Sequence, residues 1–341
     1  MNEKRFDGLD ILKTICAFLI VCIHAPFPGV IGTCVTAIAR VGVPVFFMIT
    51  GYFYDNVVKK GKELYQIKKI FLLMIFSNIL YFIFDIFLSL RNSAVSELLH
   101  STFTLKSLIK FLLFNESVLH GHLWYLGAIL YVLVIFKLLR KFVPKWKTAV
   151  YVITPFLLIA DLVLGKYSIL IFGKEPFPFF ALRNFLFVGI PYFTIGYFLK
   201  ENSEKIDLFR KHKALCRFLA LLFSGTTLFE LFILKYLDAN ATRDHYISST
   251  FLAIILFIIF TDDCFNGNKF NLMKKIGKEY SAIIYIVHPI FINILNDVAS
   301  MANVKRAYSF VQPIVVFVVT AFFVFLYYKI KNGKDKRYEI K

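Results

Sequence analysis

The sequence predicts an all-α integral membrane protein with about ten transmembrane helices and both termini in the cytoplasm. Three observations lead there. Hydrophobic residues fill 58% of the 341 positions and charged residues only 18%, whereas a soluble domain carries about half apolar and about a quarter charged residues. Too few polar side chains remain to cover a water-facing surface, so lipid is the natural solvent. Apolar runs long enough to cross a bilayer recur along the chain, with short loops between them. Lysine and arginine gather in alternate loops, the pattern by which a polytopic protein fixes its orientation.

The ten candidate spans cover residues 9–25, 36–54, 67–90, 122–139, 149–165, 179–199, 214–234, 247–260, 280–295 and 311–330. The eighth is short. A lesser apolar run, residues 108–114, is expected to lie along the interface or re-enter. With the N-terminus inside, the inner side holds 27 Lys and Arg, including Lys4 and Arg5, and the outer side 11. The net charge of +18 therefore reads as orientation, not as a nucleic-acid surface.

The first span follows Lys4 and Arg5 as a signal peptide would. It carries Asp10, Lys13 and His24, and no A-x-A cleavage site follows, so it is read as retained. Ionisable groups inside spans are costly and tend to mark function. Lys13 and His24 are eleven residues apart, which on a helix is about 20° off one face and about 16 Å along the axis. Asp10, one turn before Lys13, is placed to hold its ammonium. Snorkelling of Lys13 and a hydrogen-bonded His24 at a helix end are the structural alternatives. The shared face favours function.

In the second span Arg40 caps the outer end, and Gly42, Pro44 and Gly51 permit a kink or close packing. The fourth opens His120-Gly121-His122-Leu123-Trp124-Tyr125. Trp and Tyr there suit an interface, and the two histidines would diverge if helical. The sixth holds Arg183-Asn184 near its outer end. The ninth holds His288 just before Pro289, a residue that frees a backbone carbonyl. Asp85, Asp161 and Glu230 are further intramembrane acids, each as suited to a structural pair as to a site. His100, His212 and His245 lie in loops without an assigned role. The five cysteines form no CxxC pair, no metal spacing such as HxxxH occurs, and Walker, dinucleotide and GxSxG motifs are absent.

Four of these motifs, in order along nearly the whole chain, resemble the membrane acyltransferase family 3 of bacterial envelopes. They are Leu9-Asp10-Ile11-Leu12-Lys13 with ten residues between Lys13 and His24; Arg40 with Val43-Pro44-Val45-Phe46-Phe47 and Gly51-Tyr52; His122-Leu123-Trp124-Tyr125-Leu126; and Tyr285-Ile286-Val287-His288-Pro289. Lys13 stands where many members have Arg, which keeps the charge but loses the bidentate fork. Arg183-Asn184-Phe185-Leu186-Phe187 is also similar to the membrane half of serine racemases linked to vancomycin resistance, with no racemase domain expected here.

The resemblance implies a single transmembrane acyltransferase domain over residues 1–341 in the bacterial cytoplasmic membrane. Its implied reaction is transfer of an acetyl or other short acyl group from cytoplasmic acyl-CoA to a hydroxyl of an envelope or exported glycan, or of a polyprenyl-linked sugar. His24 is then the general base and His288 a second base or acyl relay. Lys13, supported by Asp10, would hold the CoA phosphates of acetyl-CoA. Arg40, His122, Trp124, Tyr125 and Arg183 would bind the acceptor. The partners are acyl-CoA, the glycan and the lipid bilayer, with no metal and no nucleic acid. A transporter or flippase, an uptake or sensing domain for a small solute such as an amino acid, and a non-catalytic subunit are the competing classes.

Overall fold

A computed structural model describes residues 6–91, 95, 100, 102 and 104–338, without the side chains of Arg91 and of residues 332–338. Lys4, Arg5 and Lys341, counted above as inner cations, lie outside the described residues, as do residues 92–94, 96–99, 101 and 103. Among the described residues every regular element is helical. In order they are α1 (Asp7–His24), α2 (Gly29–Ala39), α3 (Gly42–Lys59), α4 (Glu63–Arg91), α5 (Leu105–Phe114) and α6 (Trp124–Phe142). Then come α7 (Trp146–Asp161), α8 (Ser168–Phe172), α9 (Phe179–Leu182), α10 (Ile190–Glu201), α11 (Ser203–Arg210) and α12 (Lys213–Tyr236). The last are α13 (Ile247–Phe260), α14 (Asn271–Lys275), α15 (Ser281–Met301), α16 (Lys305–Ser309) and α17 (Gln312–Tyr338).

Seven helical stretches among these residues are long and apolar enough to cross a membrane. The protein is a multi-pass membrane protein. The α13 bounds coincide with the eighth expected span, which at 14 residues is short. The 18 residues of α1 include Asp7, Asp10 and Lys13.

Two runs expected to be continuous are broken. The second separates into α2 and α3 because Pro44 has no N–H for the Arg40 carbonyl four residues back. Arg40 instead caps α2 at φ −61° and ψ −15°. The sixth stops at Leu182. Asn184 is extended there (φ −147°, ψ −175°), and its Oδ1 accepts from the backbone N–H groups of Leu186 and Phe187. A π-helical turn, Phe185–Gly189, then leads into α10. Hydropathy alone does not distinguish a broken run from a whole one, since the residues at both breaks sit among apolar neighbours.

Backbone packing groups the chain into two compact units. The first comprises Met1–Val45, Arg210–Leu228 and Phe251–Lys341, the second Phe46–Phe209 and Phe229–Thr250. Inside the first, α1 lies against α2, α14, α15 and α17, with Ala17, Tyr280, Ile284 and Val324 buried together. Inside the second, α4 packs on α6 and α7 on α10. Gly51 and Gly196 let α3 and α10 approach closely: an added Cβ at either would lie 2.0 Å from a carbonyl of the other helix. Such small-residue contacts carry helix packing in lipid, where apolar burial supplies little drive. The Tyr54, Phe136 and Phe193 rings fill the space beside that crossing, at 5.3 Å and 4.4 Å from Phe193 to the other two.

Candidate active site

In the first unit the polar stripe lies on one unbroken helix. Asp10 and Lys13 form an ion pair of 3.0 Å, and the Lys13 side chain keeps 23% of its exposure. The Thr14 hydroxyl beside them donates to the Met273 carbonyl at 2.5 Å. Gly277 brings the π-helical turn Ile276–Tyr280 against the Asp10 carbonyl, since a Cβ there would sit 1.7 Å from that oxygen. These contacts hold the inner end of α1 in register with the start of α15.

At the other end of the stripe, His24 is the last residue of α1 and is exposed. Its ring centroid lies 5.1 Å from that of His288, 264 positions later. His288 is fully buried on α15. Its tautomer follows from the backbone. Pro289 offers no N–H to the Tyr285 carbonyl, and His288 Nδ1 takes up that carbonyl at 2.8 Å, with Ile284 O at 3.1 Å. A carbonyl only accepts, so Nδ1 carries a hydrogen, and in the neutral form of the ring the lone pair is on Nε2. The His-Pro dipeptide thus fixes the orientation of a buried imidazole.

In the second unit Arg183 sits at the break after α9. Its Nη2 donates to the Gly121 carbonyl at 3.3 Å and to Glu116 Oε1 at 3.5 Å. The guanidinium lies over the rings of Phe179 (4.3 Å) and Trp124 (5.4 Å). Arg183 Nε and Glu116 Oε2 are both buried without a hydrogen-bond partner. Burial pushes the Glu116 carboxyl up from its ordinary value, against the pull of Arg183. Asn115, left-handed at φ 51°, joins the pieces: Nδ2 donates to the Trp124 carbonyl at 3.1 Å, and Oδ1 accepts from Phe185 N at 2.8 Å.

Trp124 is only 5% exposed, so Arg183 and Phe47 occupy its faces. Tyr125 packs edge-on against Phe47 at 4.8 Å. His120 and His122 do not diverge as a helical reading requires. His120 is extended and His122 lies in the tight turn Gly121–Leu123, so both rings pack on Tyr81, at 4.2 Å and 4.9 Å. His120 Nε2 also meets Asp85 Oδ1 at 3.0 Å. Arg40 caps α2 in the first unit, half-buried.

Glu116 and Asn115 escaped the sequence reading. An asparagine just after an amphipathic helical run is a left-handed cap signal, and it was available. The buried pair of Asp161 and His245 (Oδ2 to Nδ1, 2.8 Å) left no local trace across 84 positions. Around it Lys166 Nζ donates to the Ala241 and Arg243 carbonyls at 2.9 Å and 3.2 Å, and Arg243 pairs with Glu175 at 2.8 Å. Glu230 caps α13, accepting from the backbone N–H groups of Ile247 and Ser248 at 3.0 Å each. Among the described residues no three His, Cys, Asp or Glu gather as a metal site.

No solved structure matches the chain. An amino-acid racemase of Enterococcus faecalis is 26% identical over 333 residues, an alignment covering 89% of this chain and 43% of that protein. The chain thus spans under half the length of this relative. A family described as an acyltransferase domain, acyltransferase family 3, matches residues 6–329, both units included. The chain belongs to this family of membrane acyltransferases.

Proposed function

We propose that the protein moves an acetyl or other short acyl group from cytoplasmic acyl-CoA to a hydroxyl of an envelope glycan or polyprenyl-linked sugar, from the bacterial cytoplasmic membrane. The His24–His288 pair carries this reading. The acceptor oxygen attacks the thioester carbonyl, its proton passes to the His24 imidazole, and the carbon–sulfur bond breaks. The CoA thiolate then takes a proton and leaves. His288, buried beside His24 with its lone pair on Nε2, is the group to which that proton can be relayed. Lys13 holds donor phosphate, drawing on an ammonium that Asp10 already positions.

Arg183 and Glu116 are the acceptor-side candidates. A guanidinium N–H and a carboxylate oxygen without partners are a donor and an acceptor for sugar hydroxyls. Trp124 and Phe179 fix the guanidinium plane instead of stacking on the sugar. Arg40, His122 and Tyr125 are proposed as supporting contacts to the acceptor. Ten spans with both termini inside remain the topology we infer, on the 27 to 11 split of basic residues.

The test is CoA release from labelled acetyl-CoA by the protein in lipid nanodiscs, with and without crude envelope glycan. Glycan-stimulated release lost in His24→Ala supports the reading. Release unaffected by that change removes His24 as the base, and no binding or release under any condition removes the acyltransferase activity. The racemase-named relative favours a second reading, in which the membrane domain handles an amino acid as a solute. Labelled-serine uptake without CoA turnover would select it.

A further inference from the structure

A cavity of about 660 Å³ lies within the first unit, on the far side of α1 from the Lys13–His24 stripe. Thr14, Ile15 and Phe18 contribute its α1 wall. They point about 100°, 200° and 140° round the helix from Lys13, whereas His24 points about 20° away. The groove therefore opens mainly away from Lys13 and His24, with Thr14 at its near edge. Its other walls are apolar, with Tyr280 from the π-helical turn and Phe317, Phe322 and Phe325 from α17. The Phe18 and Phe317 rings meet edge to face at 5.4 Å.

One end of this groove is cationic. Lys275 lines it with its Nζ 5.3 Å from the Phe325 ring and 5.8 Å from Tyr280. Lys275 also lines a second, polar cavity of about 470 Å³ together with Lys278 and Glu279. Lys274 is there too, already paired with Asp7 at 2.9 Å. Lys275 and Lys278 are exposed. Lys329, one turn beyond Phe325 on α17, follows on the same helix face and is exposed as well. Two exposed ammonium groups, Lys275 and Lys278, thus line the polar cavity beside two carboxylates, Glu279 and the Asp7 already paired with Lys274.

We propose that these two cavities, which share Lys275 as a wall, form a site for an anionic phospholipid of the leaflet nearest the N-terminus of α1. Its phosphate head lies between Lys275 and Lys278, and one acyl tail lies along Phe325, Phe322 and Phe18. Charge complementarity selects the head: basic pockets at a membrane surface favour anionic lipid over zwitterionic lipid. The lysine stem lies along the apolar wall with its ammonium at the polar mouth, the snorkelling arrangement a lipid phosphate needs. The proposal does not rest on the acyltransferase reading, because the groove faces away from the stripe on which that reading is built.

Native mass spectrometry of the delipidated full chain, incubated with equal phosphatidylglycerol and phosphatidylcholine, tests it. Wild type is expected to retain phosphatidylglycerol with a preference of about tenfold or more. Lys275→Glu combined with Lys278→Glu is expected to bring that preference close to parity. Ala321→Trp fills the apolar wall without changing charge, and is expected to lower retention of phosphatidylglycerol, so the proposal stays testable if the charge variant misfolds. Equal retention of both lipids by wild type, an unchanged preference in the double Glu variant, or unchanged phosphatidylglycerol retention in Ala321→Trp would overturn the site. Displacement of phosphatidylglycerol by CoA would also overturn it, and would make the groove a donor site.

Discussion

Each compact unit buries a histidine held at Nδ1, and the two are held differently. In the second unit His245 meets a carboxylate, Asp161, inside a mesh that includes Lys166, Arg243 and Glu175. In the first unit His288 meets a carbonyl of its own helix, freed by Pro289, and its ring faces a second imidazole. The Asp161 carboxylate ties His245 into a buried pair, whereas the Tyr285 carbonyl fixes which nitrogen of His288 carries a hydrogen and leaves Nε2 directed away from that contact. Ionisable residues inside an apolar chain are thus not equal pointers to function. What decides is the partner each one meets.

Variants that exchange these environments are the way to break the contrast. His288→Ala is expected to lower turnover about 100-fold or more, the usual range for a lost general acid–base group, with little change in thermal unfolding. Asp161→Asn should do the reverse. It leaves a buried imidazole facing an amide, at about 2–4 kcal/mol of stability, read as a lower melting temperature in nanodiscs with turnover per folded molecule retained. Equal losses of turnover from both variants would erase the distinction.

Smaller effects sharpen it. Pro289→Ala returns an N–H to compete for the Tyr285 carbonyl. Turnover should fall about tenfold through loss of the fixed tautomer, with the KM for the donor unchanged; a KM change alone would show that Pro289 only shapes the helix. Lys13→Ala should raise the donor KM about fivefold, a modest figure because Asp10 already compensates the charge and the pair is partly solvated. Lys13→Arg should leave KM near wild type. Identical KM values in all three would move donor binding elsewhere.

Membrane character was legible because it is a property of averages, and α13 was legible to the residue because polar loops flank its apolar run. The Lys13–His24 stripe was legible too, since both residues lie on one continuous helix. The break after Arg40 was foreshadowed only as a kink permitted by Gly42 and Pro44, and the one at Arg183–Asn184 was not legible, because a single side-chain cap within an apolar window makes it. Nor was the meeting of His24 with His288, or of His245 with Asp161, because no local pattern reports a partner on a distant helix. The convergence of His120 and His122 was misjudged for a related reason: an i, i+2 pair diverges on a helix, and His120 is not on one.

The most direct test sets the two histidines side by side. CoA release from labelled acetyl-CoA, stimulated by envelope glycan, would be measured in nanodiscs for His24→Ala and His245→Ala at matched folded fraction. The account predicts release abolished in the first and retained in the second. Release retained in His24→Ala, with loss only in His245→Ala, would contradict it and move the chemistry to the second unit.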